Sequence, residues 1–369
     1  MALSRIDTTN MIEDVPQSKL DNNINFRNII INGDMSIAQR GTSVTGVNTN
    51  NGFPTLDRFQ IGFTSSGTYD MSQSTDVPSG KGFSSSLKIK CASTDTSIAS
   101  GDEFIIQQRI EAQNLQYLKF GTSNAENLTL SFYAKAVNKT GTYCVHLQKN
   151  DSTSAYFYSE FSVTTSWQKF SISIPANSVV QSSGGAISND NGIGIIVMFF
   201  LMNGSSTQGT DAKDQWSTTN HRTSSNQVNF LDSTSNEFYI TGVQLEAGTT
   251  ASDFEFLPVD VNLDRCYRYF HIGGCCSGRA YNTSRAEFYY AYPKQMRSSP
   301  SVTLIDGTGE ADNSGRLHKS GVSGYDITSV SISSTTTKTT TINYGTGGSF
   351  STGDILGVLG NPISLSSEL

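Results

Sequence analysis

The side chains with the clearest capacity for recognition chemistry are two tyrosines next to a carboxylate. If Ala155–Val163 forms a β-strand, Tyr156, Tyr158 and Glu160 share one face and the phenylalanines share the other. A tyrosine ring has an apolar face and a polar tip, so it can stack on a sugar ring and hydrogen-bond to its hydroxyls. The pattern therefore predicts an outward, sugar-binding face on this strand.

The same parity argument adds His146 and Tyr133 to this candidate site. His146 is expected to point outward from the strand before Ala155, and Tyr133 does so beside Lys135 in another strand. The candidate glycan-binding residues are Tyr133, His146, Tyr156 and Tyr158. The alternative is that these outward aromatic residues only stabilise the sheets through cross-strand pairs.

The sequence carries none of three short motifs by which enzyme active sites are commonly recognised. The sequence contains no G-x-S-x-G, H-E-x-x-H or G-x-x-x-x-G-K-[ST] pattern. Asp253 with Glu255, or Asp211 with Asp214, could form a pair of catalytic carboxylates, but we favour solvated surface acids, because Asp and Glu are mostly exposed. We therefore expect a protein that is not an enzyme and has no catalytic residues.

Metal ligands and cysteines are also sparse. The run 189–192 (NDNG) groups oxygen ligands before a glycine, as in a Ca²⁺ site, but it also suits a turn before a strand. The 5 cysteines are an odd number without a C-x-x-C pair, and the 4 histidines are scattered. We expect no metal, no cofactor and no disulfide framework.

The composition favours β-structure. Hydrophobic residues make up 36% of the 369 residues and charged residues only 15%, with many threonines, serines and asparagines in their place. Threonine suits strands, and serine and asparagine suit turns. The net charge of -7 comes without a basic block, which argues against nucleic acid as a partner. No apolar run approaches about 18 residues, and the start MALSRIDTTN lacks a signal-peptide pattern, so we expect no membrane insertion and no cleaved export signal.

Short strand candidates separated by polar turns extend over residues 26–258 and predict an antiparallel β-sandwich. Ile193–Met202 is apolar on both faces, which predicts a central strand covered from both sides. The polar segment Asn203–Asn229 is long for a loop, so we expect it to make contacts. Its Trp216 is either a packing anchor, which we favour, or a platform for a ligand.

Three further regions flank this sandwich. Residues 1–25 are polar and predict either a docking arm or a strand packed within the molecule. Residues 259–272 contain the best helix candidate, a short linker helix, and residues 273–369 predict a second, smaller β-domain. In that domain Phe288–Tyr292, followed by 293–297 (PKQMR), has the composition of an interface between identical subunits, although an ordinary internal strand is the alternative.

Several separated segments resemble a recurrent block in structural proteins of tailed-bacteriophage particles, particularly tail-fibre and receptor-binding proteins. These segments are 28–41 (NIIINGDMSIAQRG) with 55–59 (TLDRF), then 128–135 (LTLSFYAK), then 239–248 (YITGVQLEAG) leading to 253–258 (DFEFLP) and 265–269 (RCYRY). The resemblance covers about residues 28–270 and implies a jelly-roll β-sandwich like that of carbohydrate-binding modules. With the short helix and the strand pattern after it, the predicted fold is all-β, with a smaller C-terminal β-sandwich domain. The resemblance transfers no catalytic residue.

The resemblance also implies a place and partners for the protein. It implies a homotrimer in the virion, assembled in the cytoplasm of a host bacterium, which docks on other virion proteins through its N-terminal arm. The first hypothesis is therefore a non-enzymatic tail fibre or fibre-like spike that attaches to host cell-surface polysaccharide. The alternatives are an adaptor or head-decorating protein without a host ligand, and a glycan depolymerase or esterase with dispersed carboxylates.

Overall fold

The computed structural model describes residues 26–50, 52–209, 213–274, 278–304, 316–319, 325–346, 351–359 and 362–369. The predicted docking arm at residues 1–25, Asp211 and the adjacent Cys275 and Cys276 lie outside these ranges. The chain divides into two compact units. The larger contains the described residues up to Ser36 and Gly41–Leu257, and the smaller contains Ile37–Arg40 and Pro258–Leu369.

The larger unit is built from two antiparallel sheets. Its described strands are β1 (Ser43–Val47), β2 (Gln60–Thr64), β3 (Thr68–Ser74), β4 (Ser86–Ser93), β5 (Glu103–Glu111), β6 (Leu128–Val137), β7 (Gly141–Lys149), β8 (Ala155–Val163), β9 (Gln168–Ile174), β10 (Ile193–Asn203), β11 (Gln208–Gly209), β12 (Thr223–Ser224) and β13 (Glu237–Ala247). One sheet has the order β1-β3-β4-β13-β6-β9 and the other has the order β2-β5-β10-β7-β8. A helix, α1 (Ser178–Gln181), and short 3-10 turns connect them. The predicted antiparallel jelly-roll sandwich is confirmed.

The core lies between the two sheets because alternate side chains of each strand point inward. In β6 the buried Leu128, Leu130 and Phe132 alternate with more polar residues. The Phe132 ring lies 4.9 Å from that of Phe199 in β10 of the other sheet, in an edge-to-face contact. Trp216 is 2% exposed and its ring lies 5.9 Å from that of Phe157, which confirms its role as a packing residue.

Strand β10 is buried on both faces, as its sequence predicted. Its outward side chains join a second apolar cluster on the outer side of the five-stranded sheet: Ile105, Cys144, Ile196, Met198 and Phe200. The described residues of segment 203–229, which are 203–209 and 213–229, lie over this cluster. Gln227 accepts a hydrogen bond from the backbone N–H of Cys144 at 2.8 Å and donates one to the carbonyl of Phe200 at 3.0 Å. The long polar loop is therefore a cover for an otherwise exposed apolar sheet face.

The segments that carry the resemblance meet in three dimensions. Asn28 donates to the carbonyl of Val243 at 3.1 Å and accepts from the N–H of Leu245 at 3.2 Å. A Cβ on Gly33 would lie 2.1 Å from the carbonyl oxygen of Val243, so only glycine fits this crossing of two chain segments. Asn28 and Gly33 hold the first described segment of the larger unit, the chain entry, against β13. Their role is therefore structural.

The described part of the smaller unit contains one helix, α2 (Val259–Tyr267), and further strands. They are β14 (Phe270–Gly274), β15 (Gly278–Ala280), β16 (Arg285–Ala291), β17 (Ser301–Leu304), β18 (Arg316–Lys319), β19 (Tyr325–Thr335), β20 (Thr339–Thr346), β21 (Ile355–Leu359) and β22 (Pro362–Ser366). Within this unit Arg40 pairs with Glu368 at 3.1 Å and its guanidinium lies 3.5 Å from the centroid of the Phe270 ring. No helix in the described part of the chain has the length and apolar character needed to cross a membrane.

The β-strands of the smaller unit confirm its all-β class, but they do not form the predicted second sandwich. Strands β15-β16-β20-β19-β18-β21 close into a barrel, and β14-β22-β17 form a separate three-stranded sheet. The inward residues Phe288, Ile342 and Tyr344 share one buried core. Inward and outward residues alternate along strands in barrels and in sandwiches alike, so the sequence pattern could not distinguish the two.

Phe288–Tyr292, predicted as an interface between subunits, supplies mainly the core of this unit. Phe288 is fully buried and Tyr292 is 9% exposed, and both belong to one cluster with Met296. Tyr289 differs, since it is 64% exposed on the outside of the barrel. The alternative of an internal strand therefore explains most of the segment.

Candidate functional site

The structure separates the four predicted site residues. Tyr133 lies on β6 and points outward from the six-stranded sheet, whereas His146 on β7 and Tyr156 and Tyr158 on β8 point outward from the five-stranded sheet. The parity prediction is confirmed for all four. They cannot form one site, because the two groups lie on opposite faces of the sandwich.

The prediction that His146 and Tyr158 are accessible is wrong. His146 is fully buried, 6.0 Å from the ring of Tyr156 and 6.3 Å from that of Phe200, and Tyr158 is 3% exposed. Burial, with a smaller contribution from the charge of Arg222, lowers the pKa of His146 to about 3. The ring is therefore neutral at neutral pH and packs as part of the cluster beneath segment 203–229.

Glu160, the carboxylate beside these tyrosines, holds the covering segment in place. It accepts hydrogen bonds from Ser224 and, at 3.0 Å, from Asn226, and it forms an ion pair with Lys213 at 3.0 Å. The hydrogen bond from Ser224 is the main cause of its lowered pKa. Tyr156 stays half-buried at the sheet edge, where its backbone pairs with that of Ser217. This side of the sandwich is closed by its own chain.

The outer side of the six-stranded sheet carries a different cluster, which we call the aromatic face and define as Asp76, Lys88, Tyr133, Lys135, Trp167, Glu237 and Tyr239. Strand register creates its central row, because Tyr239 of β13 pairs with Lys88 of β4 on one side and with Lys135 of β6 on the other. Trp167 precedes β9, and its ring lies 6.2 Å from that of Tyr239 in an edge-to-face arrangement. The Lys135 ammonium lies 4.7 Å from the Tyr239 ring centroid and 5.6 Å from that of Trp167.

Two carboxylates hold these rings in place. Asp76 accepts a hydrogen bond from the indole N–H of Trp167 at 2.9 Å and another from Lys135. Glu237 accepts from the Tyr239 hydroxyl at 2.6 Å and pairs with Lys88 at 2.7 Å. Trp167 and Tyr239 are therefore each fixed by a charge-assisted hydrogen bond before any ligand arrives.

The same contacts keep both carboxylates ionised. Burial by itself would raise the pKa of Asp76, but hydrogen bonds from Lys135 and Trp167 outweigh it and the pKa is lowered. Burial likewise opposes the lowering of the pKa of Glu237, which the hydrogen bonds from Lys88 and Tyr239 produce. Both groups are acceptors at neutral pH, and neither holds a proton to donate.

Aromatic residues extend the face toward one end of the sheet. The half-buried Tyr133 ring lies 5.5 Å from that of Phe83, which in turn contacts Phe254 at 5.1 Å and Phe256 at 5.0 Å. Phe256 is 49% exposed. The result is a band of rings, accessible at Tyr133, Phe254 and Phe256, beside fixed donors and acceptors, which is a composition suited to sugar recognition.

Of the carboxylates considered as catalytic pairs, Glu255 has a structural role, and the pair of Asp211 with Asp214 lies partly outside the described residues. Glu255 uses both side-chain oxygens to accept the backbone N–H groups of Phe26 at 2.7 Å and Asn28 at 2.9 Å, so it fastens the chain entry. In the 189–192 turn, Asp190 accepts the N–H of Gly192 at 2.8 Å. Within the described ranges, no three His, Cys, Asp or Glu side chains come together in a way that could hold a metal ion.

Sequence reasoning missed Trp167, Tyr239 and Asp76. The alternation in Glu237–Ala247 could have placed Tyr239 outward with Glu237, because the buried Phe238 lies between them. Trp167 and Asp76 lie in connections that the pattern does not orient, 91 residues apart in the chain, and only the folded sheet brings them together.

Comparisons with known proteins give only distant likenesses. No protein-family model matches the chain, and no curated protein matches it. One similar solved structure is the enzymatically active domain of tailspike protein 4 from bacteriophage CBA120, with a TM-score of 0.30 and 11% identity over 60% of this chain and 22% of that one. A family 4 carbohydrate-binding module has a TM-score of 0.29 and 14% identity, covering 59% of this chain and 98% of its own.

A third similar structure is the family 11 carbohydrate-binding module from Clostridium thermocellum, solved with a mixed-linked β-1,3-1,4 tetrasaccharide. Its TM-score is 0.28 at 10% identity, covering 57% of this chain and 98% of that one. The match to the tailspike chain spans less than a quarter of that chain's length. At these scores the likenesses decide nothing about ligand or activity, which depend on the residues of this chain.

Proposed function

We propose that this protein is a non-enzymatic structural component of a bacteriophage particle, a tail fibre or fibre-like spike, that attaches to host-surface glycan through the aromatic face. The observation that carries the glycan-binding part is the half-buried Trp167, which Asp76 fixes on the outer side of the six-stranded sheet, edge to face against the buried Tyr239. The particle assignment is supported by the resemblance of the segments that meet at Asn28, Gly33 and β13.

The proposed binding mode uses stacking and hydrogen bonds together. A pyranose ring lies against the exposed part of Trp167 and toward Tyr133, while its hydroxyls donate to Asp76 and accept from Lys135. Pre-fixed side chains lose little conformational entropy on binding, so even a small contact area gives measurable affinity. One such site binds weakly, and the homotrimer that we propose would present several at once, which raises the effective concentration without any new contact.

The ionisation of the face supports binding rather than cleavage. Hydrolysis of a glycosidic bond needs one protonated carboxylic acid near the leaving group. Asp76 and Glu237 both have lowered pKa values, because lysines and aromatic donors bind their ionised forms. Neither can act as that acid at neutral pH.

Docking on other virion proteins through residues 1–25 is proposed from the sequence.

The test is binding of the full-length protein to a printed array of bacterial capsular and O-antigen polysaccharides. We expect Trp167→Ala to weaken binding to the best polysaccharide about ten-fold or more, the loss typical of an aromatic contact at the centre of a site. Tyr133→Ala should weaken it less. Tyr117→Ala is the matched control, because this tyrosine is 49% exposed outside the aromatic face and its removal should change nothing.

Three other results would contradict the proposal. Equal affinity of the wild type and Trp167→Ala would show that the aromatic face does not bind glycan. Saturable binding to no polysaccharide would favour an adaptor or head-decorating protein. Shortened or deacetylated chains after incubation would show a depolymerase or esterase.

A further inference from the structure

A cavity in the smaller unit opens on the outside of its barrel. It has a volume of about 570 Å³ and lies across β15, β16, β20 and β21. Its lining includes Arg279, Glu287, Tyr289, Thr341 and Ile355. None of these residues belongs to the aromatic face of the larger unit.

Strand register shows why these side chains share one outer surface. Arg279 of β15 pairs with Glu287 of β16 and with Ile355 of β21, and Tyr289 pairs with Thr341 of β20. The intervening residues of the same strands point the other way and form the barrel core, as Ala280, Phe288 and Leu356 do. The cavity residues are therefore a contiguous patch on four neighbouring strands.

This patch is unusually open for its composition. Tyr289 is 64% exposed and Ile355 is 78% exposed. A tyrosine and an isoleucine held this far into solvent beside a cavity give up hydrophobic stabilisation that burial would supply. A ligand that covers the Tyr289 ring would recover part of that stabilisation.

The charged side chains of the patch hold each other only loosely. Glu287 interacts with two arginines at long distances, with Arg279 at 3.6 Å and with Arg285 at 3.4 Å. The side chain of Arg279 is 70% exposed, so most of its donors face solvent. Asp354, on the turn before β21, uses its carboxylate to accept the N–H of Ser351 at 2.9 Å. Among the described residues, the Arg279 guanidinium is therefore held only by a long contact to Glu287 and has donors left for a further acceptor.

We propose that this cavity is a second saccharide-binding site, selective for sugars that carry a carboxylate. The Arg279 guanidinium binds the carboxylate, for which its planar fork of donors is suited. The Tyr289 ring stacks on the pyranose, and the Thr341 hydroxyl bonds to a ring hydroxyl. The site goes beyond the proposed function, because it uses other residues, another unit and another class of sugar.

The test is titration of the full-length protein with two acidic probes and their neutral counterparts. Tri-α-1,4-galacturonate is compared with its methyl ester, and 3′-sialyllactose is compared with lactose, so the two arms distinguish uronic from sialic acids. We expect at least one acid to bind about ten-fold more tightly than its neutral counterpart, as for a charge-assisted contact. Arg279→Gln should remove that preference, and Tyr289→Ala should abolish binding of the acid and of its neutral form.

Two controls separate this site from the aromatic face and from general charge effects. Lys338→Gln removes one positive charge from an exposed turn of the same unit and should leave the preference unchanged. Trp167→Ala, which tests the proposed function, should leave binding of the acidic probe intact.

The proposal is overturned if neither acid is preferred, or if Trp167→Ala abolishes acid binding while Tyr289→Ala does not. It is also overturned if light scattering shows that Tyr289→Ala changes the mass of the assembly without changing affinity for the acid. In that case the patch is a contact between copies of the chain.

Discussion

His146 should make the sandwich sensitive to acid, and replacing it with glutamine should remove most of that sensitivity. The ring is fully buried between Tyr156 and Phe200, and its pKa is lowered from the ordinary value of 6.5 to about 3. Between these two values the unfolded chain binds a proton at this position that the folded chain excludes. The stability contributed by the neutral ring is therefore lost progressively as the pH falls from about 6.5 toward 3.

The size of the effect follows from the two pKa values. At about pH 5 the protonation of the unfolded state lowers the free energy of unfolding by about 2 kcal/mol, whereas at about pH 7.5 the loss is close to zero. His146→Gln carries no charge at either pH. The difference in unfolding free energy between the two pH values should therefore be about 2 kcal/mol smaller for the variant than for the wild type.

Urea unfolding followed by tryptophan fluorescence measures this difference in unfolding free energy for the larger unit, which contains His146. The chain has 2 tryptophans, Trp167 and Trp216, and both lie in the larger unit, so the signal does not report on the barrel. Other titrating groups affect wild type and variant alike and cancel in the double difference. His146→Asn provides a second uncharged variant if glutamine packs poorly.

Equal losses of stability in wild type and variant between the two pH values would refute the reasoning. That result would mean that His146 takes up its proton in the folded state at an ordinary pKa. Segment 203–229 would then not exclude water from the outer side of the five-stranded sheet.

Two further predictions concern packing in the larger unit. Lys149 is fully buried and its ammonium donates to three backbone carbonyls, so Lys149→Met should lower the unfolding free energy by about 2–4 kcal/mol. Lys169→Met, at an exposed position, should lower it by less than about 0.5 kcal/mol. Equal losses for the two variants in urea titrations would contradict this prediction. Gly33→Ala should cost about 1–3 kcal/mol or more, because the new Cβ would lie 2.1 Å from the carbonyl oxygen of Val243, whereas Gly101→Ala meets no atom within 4 Å. A melting temperature for Gly33→Ala equal to that of Gly101→Ala would show that the backbone yields easily at this crossing.

Local pattern was enough to predict the strands of the sandwich and the faces of their side chains. Leu130 and Phe132 are buried where alternation placed them, and Tyr133 and Tyr156 point away from the core. Side-chain direction has a period of two along any strand, whatever the strand pairs with. The double-sided burial of β10 also followed from its composition alone.

The candidate site was predicted only in part, because accessibility depends on chain segments that are distant in sequence. His146 and Tyr158 point outward as predicted, but segment 203–229 covers them. Tyr133 was predicted correctly as an outward residue. The position of Trp167 beside its strand could not be predicted, because it depends on the pairing of β6 with β9. Strand order across a sheet leaves little trace in the local sequence, so partners from neighbouring strands could not be assigned.

By itself, the sequence determined the all-β class, the antiparallel sandwich and the outward direction of its aromatic residues, since composition and alternation act within one strand. The tertiary structure decided which outward side chains stay accessible, which rings meet at Asp76 and Glu237, and that the C-terminal strands close into a barrel. The physical reason is the separation along the chain of the residues that determine each feature. Side-chain alternation is set by the backbone of each residue, whereas covering, pairing order and closure arise from contacts between residues far apart in the chain.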